Sequence, residues 1–97
     1  MLFAFYMIDN AGMADVRLSV RPAHKEYLGA AEDRIAFAGP LLADDGKTME
    51  GSLLVLDFDD REQAEQWLKN EPFTKAGLYA RTELRRVDSL WPQRAGK

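Results

Sequence analysis

The stretch SVRPAHKEYL, Ser19 to Leu28, holds the only histidine of the chain, His24. An imidazole titrates near neutrality, so it can take a proton from a substrate and return it. A carboxylate on the far ring nitrogen fixes the tautomer and strengthens the base. Asp9 and Glu71 are the candidates for that place, and sequence alone leaves both open. Around the histidine, Ser19 could lend a hydroxyl, and Arg17 or Arg21 could hold an anion. The plainer readings are a helix cap for Ser19 and surface charges for the arginines. His24 also has a plainer reading, a half-covered residue on an amphipathic helix.

The rest of the composition narrows the chemistry. One histidine and no cysteine cannot furnish a zinc or copper site, and disulfides and thiolate nucleophiles are absent too. DDGKTME supplies oxygens without the spacing of a calcium loop. Gly39 and Gly46 stand alone, outside any phosphate-binding pattern, and no Gly-x-Ser-x-Gly elbow occurs. No metal or cofactor is expected. The net charge of −3 gives no general attraction to a phosphate backbone, so nucleic acid is not an expected partner. Arg81, Arg85 and Arg86, with Arg94 and Lys97 behind them, form a basic corner that reads best as a solvated strand face. The opening MLFAFYMI is too short to span a membrane and lacks the charged start of a signal peptide. A soluble cytoplasmic protein is expected, which the lack of cysteine suits.

These residues must be positioned by a small fold. Ninety-seven residues, 46% of them hydrophobic, make one domain with a core of its own. The expected folded part is about 1–91, followed by a polar tail at 92–97. LFAFYMID reads as a strand stopped by DNAG. Pro22, tolerated near a helix start, places the main helix at about Val20 to Ala31, with Ser19 as cap. Ala23, Tyr27, Ala30 and Ala31 form its expected core stripe, which puts His24 at the margin of the buried face. RIAFAGP reads as a strand ended by Gly39-Pro40, Asp45-Gly46 as a hairpin turn, and Ser52 to Asp59 as a third strand. Asp60 with Gln63 forms a capping box for a second helix whose inward face is Ala64, Trp67 and Leu68. A single turn from Pro72 to Gly77 leads to a last strand at about Tyr79 to Trp91.

The order is βαββαβ: an α+β, ferredoxin-like arrangement of four antiparallel strands with both helices on one face. The first and third strands are apolar on both sides, so the open sheet face needs a cover. A second copy packed sheet against sheet, giving a homodimer, is the simplest one.

Tyr6 to Asp9, RLSVRPAH, FAGPLL, GSLLVLDF, an Ala-x-x-Trp element and EPFTKAGLY occur in this order over about 85 residues. Together they resemble the YCII-related domain family. The resemblance implies a dimeric α/β barrel and a histidine at the His24 position with an aspartate partner. The aspartate position corresponds here to Glu71. One related member is a dehydrochlorinase acting on a chlorinated hydroxyquinol. The expectation is a cofactor-free enzyme of elimination or isomerisation type. Its base would be His24, and its cleft would lie between the first helix, the segment with Gly39 and Pro40, and the sheet. The alternative is a non-catalytic module that binds a small molecule or a protein partner.

Overall fold

The structure, a computed structural model, describes residues 1–91; the expected tail with Arg94 and Lys97 lies outside the described residues. Strand β1 (Leu2–Asp9) sets the frame. Its alternation sends Phe3, Phe5 and Met7 to full burial, while Tyr6 on the other face stays exposed. Helix α1 (Ala14–Gly29) follows, then a single 3-10 turn at Glu32–Arg34. Strands β2 (Ile35–Leu42) and β3 (Met49–Asp57) form a hairpin. Helix α2 (Arg61–Lys69), the one-turn helix α3 (Pro72–Lys75) and strand β4 (Tyr79–Val87) complete the order. The sheet runs β2-β3-β1-β4, antiparallel throughout.

One core forms between the sheet and the helices. Phe3, Phe5, Leu54, Leu56 and Leu84 meet Ala64 of α2, with Leu28, Trp67 and Leu68 packed at its border. Asp60 caps α2 by accepting from the Gln63 amide at 2.9 Å, and Gln63 returns a bond to the Asp59 amide at 3.2 Å. The β2–β3 turn is locked by Asp45, whose carboxylate accepts from the Lys47 and Thr48 amides, both at 2.8 Å. The Thr48 hydroxyl and those amides hold the Asp45 carboxyl below its ordinary range. Gly46 supplies the left-handed residue of this turn, with φ +70°.

Several boundaries differ from the sequence reading; strand β3, expected at Ser52 to Asp59, runs from Met49 to Asp57. Helix α1 starts at Ala14, so Pro22 lies in its interior and Ser19 is no cap; the Ser19 hydroxyl donates to the Val16 carbonyl at 3.1 Å. The proline is affordable there because Pro22 and Leu18 are both exposed, and water can take the bond that the Leu18 carbonyl loses. Strand β2 runs through Gly39-Pro40, since it is an edge strand and one missing N–H is tolerated. Strand β4 stops at Val87 because its partner β1 begins at Leu2, opposite that residue. Of the expected stripe, Tyr27 and, beyond the helix end, Ala31 are covered, while Ala23 and Ala30 are exposed; Arg17, His24 and Leu28 complete the covered face of α1. His24 therefore sits within that face and not at its margin.

Candidate active site

Helix α3 builds one half of the site. Pro72 opens the turn with its fixed φ, and Gly77 at φ +72° follows its end. Glu71 is the N-cap, its Oε2 accepting from the Thr74 amide at 3.0 Å. A glutamate side chain is long enough to do a second job: its Oε1 meets Nδ1 of His24 across the α1–α3 contact. Glu71 is wholly buried and the His24 side chain is 12% exposed. The imidazole lies on the ring of Phe73, with centroids 4.0 Å apart and planes 18° from parallel. With Nδ1 engaged, Nε2 is the nitrogen left to face a ligand.

The other candidate carboxylate has a different partner. Asp9, at the end of β1, takes a two-pronged contact from Arg17, with Nε–Oδ2 at 2.7 Å and Nη2–Oδ1 at 3.0 Å. Arg17 is buried and also donates to the Ser52 hydroxyl at 3.0 Å. Its guanidinium lies over Phe73, 4.7 Å from the ring centre. The Tyr79 hydroxyl donates to Ser52 at 3.2 Å, and its ring meets Phe73 edge-on. Burial first, then the negative Glu71 carboxylate, pushes the Tyr79 phenol well above its ordinary range. The same two causes raise Tyr27, whose hydroxyl donates to the Trp67 carbonyl at 2.8 Å.

In front of these pairs opens a cleft of about 290 Å³. Arg17, Arg21, His24, Lys25 and Leu28 of α1 form one wall. Ala38, Gly39, Pro40, Ser52 and Leu54 of the sheet form the other. Gly39 and Pro40 thus line the cleft from within a strand. Ser19 is exposed and does not line it. Asp9 and Glu71 do not line it either; they stand behind Arg17 and His24. Among the described residues, no three His, Cys, Asp or Glu side chains gather closely enough to surround a metal ion.

Sequence reasoning missed Phe73, Ser52 and Tyr79 as parts of the site. Ser52 carried a weak signal, a lone polar residue opening the apolar run SLLVL on a helix-facing position. Arg17 was among the expected anion holders, and its burial also had a signal: it lies seven residues before His24, two helical turns along the same face.

The chain is 36% identical over 86 residues to the protein YciI of Escherichia coli O6:H1, covering 81% of this chain and 88% of that protein. An uncharacterized protein of Haemophilus influenzae is 32% identical over 87 residues, covering 82% and 89%. A solved structure of 5-chloro-2-hydroxyhydroquinone dehydrochlorinase from Burkholderia phenoliruptrix AC1100, in complex with 2,5-dihydroxybenzoquinone, is 35% identical. It superposes with a TM-score of 0.84 over 91% of this chain and 94% of that one. The YCII-related domain pattern matches residues 1–88, and this chain belongs to that family.

Proposed function

We propose that the chain is a cofactor-independent enzyme of elimination or isomerisation type, with His24 as general acid/base and Glu71 as its orienting partner. The observation that carries this reading is the imidazole on the cleft wall with a buried carboxylate on its Nδ1. Such a pair fixes the tautomer that leaves Nε2 as the proton acceptor. The likeness to a dehydrochlorinase supports a small hydroxylated ring with a leaving group as substrate.

The steps balance without an oxidant. Nε2 takes a ring hydroxyl proton, the freed electron pair becomes a carbonyl, and the carbon bearing the halogen receives the proton. Loss of a second hydroxyl proton to Nε2 then expels halide with the C–halogen pair and leaves a quinone. The ring has lost one hydrogen halide, and the imidazole gives up its proton to water. Arg17 and Arg21 stand where they can face the developing oxyanion.

Incubation with 5-chloro-2-hydroxyhydroquinone, followed by chloride release and quinone absorbance, tests the reading. Turnover is expected for the wild type and its loss for His24→Ala. Turnover that survives His24→Ala removes the base, and binding without turnover favours the non-catalytic module.

The second copy expected from the sequence belongs to the same proposal. Tyr6 and Phe37 are exposed on the helix-free face of the sheet, beside half-buried Leu53 and Val55. A homodimer packed through this face would cover them. No described helix is long and apolar enough to cross a membrane, and a cytoplasmic setting fits a chain without cysteine.

A further inference from the structure

The cleft has a sign. Its lining carries Arg17, Arg21, His24 and Lys25, and no carboxylate. Asp9 neutralises Arg17 from behind, and Glu71 faces His24. Arg21 and Lys25 have no ion-pair or hydrogen-bond partner among the described residues. Lys25 is exposed and reaches water freely, whereas Arg21 is half-buried. A half-buried guanidinium beside the apolar groups of Leu28, Ala38, Pro40 and Leu54 is costly to leave without an anion. Arg21 lies one turn before His24 on the helix, so its charge and the imidazole line the same wall.

We infer that Arg21 is an anion anchor and that the cleft selects small ligands with a flat apolar body and one negative group, a carboxylate or an acidic enol. This rests on the cleft as the ligand site proposed above, and adds the charge its ligand must carry. A planar oxygen pair matches the guanidinium fork, and the apolar body would lie along the sheet wall. A volume of about 290 Å³ suits a single ring.

The test reads binding and not turnover, so failure of the enzyme reading and failure of this one are separable. The chain has one histidine, so the ring C–H signals of His24 follow cleft occupancy by NMR without assignment overlap. Benzoate and benzamide, nearly equal in shape and different in charge, are the probes. Benzoate is expected to bind at least about tenfold tighter, the size of one charge-assisted contact. Arg21→Gln is expected to abolish that preference while leaving benzamide binding in place, and Arg21→Lys to keep part of it. Raising the salt concentration is expected to weaken benzoate alone. Equal affinities, no binding of either probe, or a preference that survives Arg21→Gln would overturn the inference.

Discussion

Glu71 and His24 stand 47 residues apart in the chain, and one carboxylate joins them while also capping the helix that carries it. Fold and site geometry are therefore tied: what holds α3 in place also orients the imidazole. Glu71→Ala is expected to lower stability by about 2 kcal/mol or more, through a lost cap and an unpartnered imidazole. Glu71→Asp separates the two roles. Aspartate caps well but is one methylene, roughly 1.5 Å, shorter. Urea denaturation is expected to show a change within about 1 kcal/mol, while turnover falls markedly; equal loss of both would tie the residue to structure alone.

The Asp9–Arg17 pair makes a different kind of expectation. Both side chains are largely withdrawn from water, at 11% and 6% exposure. Removing one partner strands the other charge, so Asp9→Ala is expected to cost about 3 kcal/mol. Asp9→Ala combined with Arg17→Met is expected to recover part of that loss in a double-mutant cycle by chemical denaturation. Simple additivity would show that the two charges do not act as a pair.

Alkaline titration offers a check on the buried phenols. Tyr79 and Tyr27 are raised above the ordinary 10.0, by burial and then by Glu71. For a group raised in the folded state, the stabilisation is complete below the unfolded value and is lost as pH climbs through the folded one. Absorbance at 295 nm is expected to show both phenols ionising above the ordinary value, Tyr79 the later of the two. Tyr79→Phe is expected to remove one late-titrating tyrosine. Two phenols ionising near pH 10 in the folded chain would contradict the assignment.

At Gly51, β3 leaves no room for a side chain beside β1. A Cβ there would lie 2.1 Å from the Met7 backbone carbonyl oxygen, which cannot step aside as a side chain can. Gly51→Ala is expected to cost about 2 kcal/mol or more in thermal or chemical denaturation. A neutral result would mean that the two strands separate more easily than their register suggests.

The open sheet face is tested by mass. Light scattering is expected to give twice 11.0 kDa for the wild type at micromolar concentration. Val55→Glu, on the helix-free face, is expected to give the monomer with its circular dichroism preserved. A wild-type monomer would leave the face uncovered and sink the dimer.

Much of this frame was legible in the residues themselves. The Asp45-Gly46 turn, the Asp60–Gln63 cap and the Pro72 start each rest on local chemistry, and local chemistry survives folding. The errors arose where a remote partner decides. Strand β4 ends where β1 runs out, and β2 passes through Pro40 because it lies on the sheet edge. The largest error had a single cause. Starting the first helix at Val20 cut Arg17 off from the face it shares with His24, and hid the buried arginine. The choice between Asp9 and Glu71 was illegible for the same reason, since Arg17 occupies Asp9 and so leaves His24 to Glu71.

The ring of Phe73 gives the experimenter a clock. Its stacking on His24 at 4.0 Å places the imidazole protons in the ring current of a single aromatic, so their resonances move upfield only while α1 and α3 are docked. Trp67 is packed against the core, and Trp91 is 84% exposed and insensitive to it. Indole fluorescence thus times the collapse of the whole domain, and the lone histidine times the closing of the site. The interval between the two signals measures how long the chain is folded before α3 closes on the imidazole.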